Sequence, residues 1–155
     1  MSSTTQPTSA GPRYGVDADK FAEKFRTTSE EDLAVAMRGP YRDAILGEIF
    51  RQMPSRLRKD RAQGVKGALH WRISGPGGRE DLYEVAFEDG ACRVNREPTM
   101  EPRATMMIDA VAFLKLIAQA TGPAKLVLTR RLRVRGDLPF AMRSEHLFRK
   151  PLDKD

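Results

Sequence analysis

Two histidines, His70 and His146, and one cysteine, Cys92, are all the imidazole and thiol chemistry that this 155-residue chain holds. A metal ion needs several such ligands at short spacings of the C-x2-C or H-x3-H kind, and these three form none, so no metal site is expected. A nucleophile and its base could be assembled from Cys92 and His70, since both fall on extended segments. His70, however, lies on the polar face of its strand, and no third group is in place to orient it. A small buried thiol and a surface histidine are the expectation, with no catalytic residue and no cofactor assigned. Glu30, Glu31 and Asp32 fall in the first turn of a helix, where carboxylates meet the positive end of the helix dipole, so they read as capping groups rather than catalytic acids. Gly75-Pro76-Gly77-Gly78 follows a strand but leads into another strand. No helix N-terminus is present there to hold a phosphate, and the segment reads as a turn.

The concentrated charge is Arg130, Arg131, Arg133 and Arg135. Alternation along a strand aims Arg131, Arg133 and Arg135 to one side as a cationic ridge. The ridge could be a solvated face or a contact with an anionic lipid headgroup or membrane surface, and both readings stay open. Nucleic acid is disfavoured, because sheets that bind it usually present aromatics for base stacking and this segment has none. Arg135-Gly136-Asp137 is a strand end, a turn glycine and a helix cap. The wider balance, 27 Lys+Arg against 21 Asp+Glu for a net charge of +6, favours anionic surfaces without naming one.

These side chains must be held by elements. At 40% hydrophobic and 31% charged residues the chain has the profile of a soluble globular protein of one domain, and no apolar run approaches the roughly 20 residues that span a bilayer. A single cysteine and a start without a basic, apolar leader point to a reducing compartment, the cytoplasm. Residues 1–15, mostly Ser, Thr, Pro, Gly and Gln, read as a flexible tail, residues 16–150 as the domain and residues 151–155 as a charged tail. Asp17 is placed to cap a helix with Phe21, Ala22 and Phe25 on one side, and Ser29 with Asp32 starts a second helix containing Leu33 and Met37. After Gly39-Pro40, a stripe of Tyr41, Ile45, Ile49 and Met53, with Leu46 and Phe50 beside it, predicts a third helix that Pro54 weakens or ends. Arg56 to Gln63 is basic and polar. The period then becomes two: Val65, Gly67, Leu69, Trp71 and Ile73 form a dry face, Lys66, Ala68, His70 and Arg72 a wet one. Tyr83-Val85-Phe87 and, past the Asp89-Gly90 turn, Cys92 and Val94 complete a meander. Ala104, Met106 and Ile108 predict a fourth strand, and Asp109 caps a helix carrying Phe113, Leu114 and Ile117. Lys125 to Leu128 is short and without a period, Leu132 and Val134 point inward on a fifth strand, and Asp137 caps a last helix with Phe140, Ser144, Leu147 and Phe148. The sum is an α+β protein.

The large and adaptable apolar side chains of the later two thirds, Trp71, Phe87, Met106, Met107, Phe113, Ile117, Leu126, Phe140, Met142 and Phe148, could fill a plain core or wall a cavity within one, which periodicity alone does not distinguish.

Three segments in order resemble one family. Arg130 to Met142 is similar to the basic and aliphatic strand of the SCP2 (sterol carrier protein 2) sterol-binding domain family, running through Gly-Asp into a helix. Ala104 to Leu114 is similar to its apolar strand leading through a polar cap into a helix with paired Phe and Leu. Ile45 to Leu57, followed by Val65 to Ile73, makes the third match. The resemblance covers residues 44–150. It implies a curved, five-stranded, mostly antiparallel sheet with helices on one face, enclosing an apolar tunnel that binds sterols, fatty acids, acyl-CoA or other lipids without chemistry. On that reading Trp71, Phe87, Met106, Phe113, Ile117, Leu126, Phe140, Met142 and Phe148 contact the ligand. Phe140 is expected at the opening and Phe148 as an anchor to the sheet, while Arg131, Arg133 and Arg135 meet an anionic headgroup or membrane. The segment Asp17 to Arg38 matches nothing specific in the family, so it either covers the tunnel or serves another partner. Two rivals stand beside this reading: a module of the same fold with its tunnel filled by side chains, and a small enzyme using His70 or Cys92.

Overall fold

A computed structural model describes residues 18–149; the expected tails at 1–15 and 151–155 and the Asp17 cap lie outside them. Four helices come first: α1 (Ala18–Thr27), α2 (Glu30–Arg38), α3 (Arg42–Arg56) and α4 (Lys59–Ala62). The strands are β1 (Gly67–Ser74), β2 (Glu80–Glu88), β3 (Ala91–Asn95), β4 (Pro102–Asp109) and β5 (Leu132–Gly136). Between β4 and β5 lie α5 (Ala110–Ile117) and α6 (Pro123–Leu128), and α7 (Leu138–Ser144) follows β5. The sheet is open, in the order β3-β2-β1-β4-β5, with β1 and β4 parallel at its centre and every other pair antiparallel. No helix among the described residues is long and apolar enough to cross a membrane.

Local chemistry explains the helix starts. The Ser29 hydroxyl accepts from the Asp32 N–H at 3.1 Å, and Asp109 and Asp137 accept from the N–H groups of Ala112 and Phe140 at 2.8 and 3.0 Å. Two short helices escape the pattern. α4 sits in the stretch Arg56 to Gln63 and α6 in Lys125 to Leu128, each too short to display a helical period. Pro54 does not stop α3 at once: the helix runs two residues further and ends at Arg56, within a turn of the backbone hydrogen bond that the proline removes.

The stripe of α3 turns out to be rotated. Arg42, Leu46 and Phe50 face the sheet and are buried, whereas Tyr41 is 69% exposed. Phe50 stacks on Tyr83 with ring centroids 4.0 Å apart and on Phe113 at 5.4 Å, while Trp71 meets Phe113 edge-on at 5.2 Å. The row at Ile45, Ile49 and Met53 is left half-buried.

Arg42 leads the buried row. Although it is charged, only 1% of it is exposed. Its Nε donates to Asp81 Oδ2 at 2.8 Å, Nη2 to the Ile73 carbonyl at 2.9 Å and Nη1 to the Met37 carbonyl at 3.3 Å. One side chain thus joins the C-terminal turn of α2, the end of β1 and the start of β2. The turn at Gly75 is shaped by it, since a Cβ there would stand 2.7 Å from Nη1.

The outward face of the meander is drier than its alternation predicts. Ala68 and His70 are buried, and beside His70 the chain after β3 is tied down by Glu84. Glu84 is wholly buried and accepts from Asn95 Nδ2 at 2.9 Å, Thr99 Oγ1 at 2.7 Å and the Thr99 and Met100 N–H groups at 3.1 and 3.3 Å. His70 Nε2 lies 2.9 Å from the same carboxylate, which can only accept, so the ring presents Nε2–H to it. Burial alone would raise the Glu84 pKa. The bonds from Thr99, Asn95 and His70 outweigh it and hold the group at about 2, against an ordinary 4.5.

Two outcomes follow from these anchors. Arg42→Met leaves the Ile73 and Met37 carbonyls without their donor and Asp81 with Arg79 and Arg96 alone, and chemical denaturation should register a loss of about 2–4 kcal/mol; an unchanged midpoint would mean that Arg42 is not a keystone. Because folding lowers the Glu84 pKa, its stabilisation is complete above about pH 4.5 and is lost as pH falls toward about 2. Glu84→Gln should cost about 2 kcal/mol at neutral pH and make the acid-unfolding limb shallower across that window, measured by urea melts from pH 7 to pH 2.

Candidate ligand-binding site

Behind the inner face of the sheet lies an apolar cavity of about 140 Å³. β1 contributes Leu69 and Trp71 to it, β2 Val85 and β4 Met106. Helix α3 supplies Ile49 and Met53, the half-buried row left over by its rotation, and α5 supplies Leu116 and Ile117. Ala141, Met142 and Phe148, from α7 and the segment after it, close another side. Ala22 and Phe25 of α1 form the cover. Polar groups gather where the cavity meets solvent: Gln52, Arg56, Gln119, Glu145 and Arg149.

The cover is fastened by exchanged helix caps. Lys115 of α5 donates its Nζ to the carbonyls of Phe25, Arg26 and Thr28 at the C-terminus of α1, at 2.8, 3.3 and 2.9 Å. In return, Arg26 Nη2 donates to the Ala118 carbonyl at the end of α5 at 2.6 Å. Each cation sits at the negative end of the other helix's dipole. The far rim is sewn similarly, with the Arg149 N–H donating to the Arg56 carbonyl at 2.7 Å and Arg56 Nε to the Arg149 carbonyl at 3.1 Å.

Of the residues expected at a ligand, Trp71, Met106, Ile117, Met142 and Phe148 line this cavity. Phe87, Phe113, Leu126 and Phe140 do not. Phe113 is locked between Phe50 and Trp71, and Leu126 is the buried residue that seats α6. Phe140 is packed edge-on against Phe87 at 6.1 Å, with the Arg103 guanidinium 4.4 Å over its ring. Phe140 is therefore buried core rather than the opening, while Phe148 packs against Phe87 of the sheet at 5.9 Å and also lines the void. Leu69 and Val85 share strand faces with expected residues and were within reach of the alternation pattern. Ala22 and Phe25 of the cover belong to the apolar side read for the first helix, whereas the polar rim carries no sequence signal of its own.

The arginine ridge is shorter than alternation suggests. Arg131 is bound to Asp109 by two bonds of 3.0 Å and to Glu30 at 3.1 Å, which hold its guanidinium even more firmly protonated than usual. Arg133 and Arg135 stay exposed, opposite Met107 and Thr105 on the outward face. The other polar candidates lie away from the cavity. His70 faces outward and Cys92 inward with β2 between them, so sheet parity separates the two. Burial pushes the Cys92 thiol up to about 11, which leaves it protonated at neutral pH. Among the described residues no group of His, Cys, Asp and Glu could hold a metal ion.

Size restricts what can enter. A void of roughly 150 Å³ takes a molecule the size of benzene. A longer chain or fused rings must therefore run out through the polar rim or part α1 from α5.

The sequence profile of the SCP-2 sterol transfer family matches residues 46–149, so α1 and α2 lie outside the match. A comparison with curated proteins finds no match. Among solved structures, the sec-alkylsulfatase Pisa1 from Pseudomonas sp. aligns over 67% of this chain with a TM-score of 0.58 and 14% identity, and this chain spans only 16% of the enzyme's length. The ubiquinone synthesis protein UbiJ-SCP2 aligns over 70% of this chain and 96% of its own, with a TM-score of 0.53 and 18% identity. Apo sterol carrier protein 2 from Yarrowia lipolytica aligns over 58% and 72%, with a TM-score of 0.50 and 14% identity. At such identities the likeness is one of fold.

The division between core and wall can be measured. Phe140→Ala should lower stability by about 3–5 kcal/mol, whereas Met142→Ala, beside an existing void, should cost less and admit bulkier apolar probes. Thermal melts combined with Trp71 fluorescence during probe titration report both. Equal melting losses with equal probe preference would assign both residues to the core.

Proposed function

The chain belongs to the SCP-2 sterol transfer family, and on that premise we propose that it binds a hydrophobic ligand in the cavity beneath α1 and passes it on without a chemical step. The observation that carries this reading is the division of the wall. Trp71, Met106, Ile117, Met142 and Phe148 offer hydrocarbon inside, and charged groups stand only at the rim. An amphiphile such as a fatty acid or acyl-CoA suits that division better than a wholly apolar molecule, with its tail against Trp71 and its head toward Gln52, Arg56, Gln119 and Arg149.

Affinity on this reading comes from the tail. Each buried methylene contributes about 0.8 kcal/mol. Some ten of them only match the roughly 4–15 kcal/mol that association costs in lost freedom. Reaction chemistry has little to work with, because Cys92 is protonated and absent from the wall and the Ser144 hydroxyl is engaged, donating to the Ala141 carbonyl at 2.7 Å.

The smallness of the void favours one second reading, an interaction module that keeps the fold with its tunnel nearly closed. Native mass spectrometry of protein purified from cells, followed by titration with a fatty-acid series, separates the two. Lipid binding predicts a co-purified lipid and an affinity that rises about fourfold per added methylene within the length that fits. Ile117→Trp, which fills the cavity, should abolish binding while leaving the fold intact by circular dichroism. No bound lipid and no chain-length dependence would leave the interaction module.

A further inference from the structure

From Thr121 to Gly136 the chain carries Lys125, Arg130, Arg131, Arg133 and Arg135 and not one acidic residue. Arg131 is bound to Asp109 and Glu30. The other four cations are exposed and form no ion pair among the described residues. Within this field α6 leaves two consecutive aliphatic side chains in water: Leu128 is 82% exposed and Val127 43%. Leu126 is buried beneath them and seats the helix.

The ends of α6 place this apolar point beside the cavity. At its N-terminus, Pro123 lines the void together with Gln119 from the turn before it. At its C-terminus, the Arg130 N–H donates to the Val127 carbonyl at 3.1 Å and the Arg131 N–H to the Leu126 carbonyl at 2.9 Å, with Arg130 in the left-handed region at φ 65°. Glycine would adopt that conformation without strain. The position holds a cation two residues past Leu128 instead.

We propose that α6 docks the protein on an anionic lipid bilayer: Val127 and Leu128 enter the interface, Lys125 and Arg130 meet the headgroups, and the cavity mouth at Pro123 and Gln119 faces the membrane from which a ligand would come. Two aliphatic side chains cannot make a stable protein interface, which takes roughly 800 Å² from each partner. They suffice as one of the two signals that hold a protein on a membrane when cations supply the other. Arg133 and Arg135 on the neighbouring strand extend the positive field. The orientation of the mouth rests on the lipid-binding reading above, whereas the docking surface does not.

The test uses the full chain in flotation assays with vesicles of phosphatidylcholine alone or with 30% phosphatidylserine at physiological salt. Wild type should bind the anionic vesicles and only weakly the neutral ones. Val127→Ser with Leu128→Gln, which leaves the net charge unchanged, should weaken anionic-vesicle binding by about tenfold or more, and Lys125→Gln with Arg130→Gln by a similar factor. Size-exclusion chromatography and the uptake of a monomeric fluorescent fatty acid in solution accompany both variants. Each should stay in the oligomeric state of wild type and take up the probe as well as wild type. If both variants float as wild type does, or if the aliphatic pair alters the oligomeric state rather than vesicle binding, the docking surface is refuted. If wild type floats as expected but no protein takes up the probe, the docking surface stands and the cavity reading fails.

Discussion

A guanidinium sealed in the interior must find oxygen for its N–H groups, and in this protein that demand sets the layout. Arg42 lies at the start of α3, and its three interactions reach Asp81, Ile73 and Met37, each from a different element. Asp81 is in turn shared with Arg79 and Arg96, and these cations hold its carboxyl below the ordinary range even though burial opposes them. Because Arg42, Leu46 and Phe50 are four residues apart, pinning the first to the sheet brings the other two down with it. The stack of Phe50 on Tyr83 and Phe113 follows from that rotation. The neighbouring row of Ile49 and Met53 is left to line the cavity.

The two faces of the sheet solve different problems. The inner face is hydrocarbon and leaves a void that α1 roofs with Ala22 and Phe25, both buried, while polar bonds hold the helix ends. The bonds of Lys115 and Arg26 are directional and exchangeable with water, a fastening that could part on the proposed entry of something larger than a single ring. The outer face is closed in part by the Glu84 network, which binds the segment after β3. Farther along, Arg133 and Arg135 guard the edge strand β5, where unpaired cations discourage another strand from pairing.

The function proposed for this arrangement is a matter of surfaces and volumes rather than reacting groups. The side chains with reactive chemistry, His70 and Cys92, are both committed to structure: one to the Glu84 carboxylate, the other to the core as a protonated thiol. What the interior has available is shape, and the flexible thioethers of Met53, Met106 and Met142 in the cavity wall allow that shape to vary.

Much of this was written in local pattern. Alternation located β1, β2 and β4, short polar side chains marked the helix starts at Ser29, Asp109 and Asp137, and the order of motifs identified the fold, because these signals arise between residues close in the chain. Long-range contacts settled the rest. Periodicity could not say which row of α3 faces the sheet, since that depends on Asp81, 39 residues away from Arg42. It set His70 on a wet face because nothing local reveals that Thr99 and Met100 will be tied down beside it by Glu84. It grouped Phe113 and Phe140 with Trp71 and Phe148 because a large apolar side chain reads the same in a core and at a void. Only packing in three dimensions leaves some of them beside empty space and closes the others in.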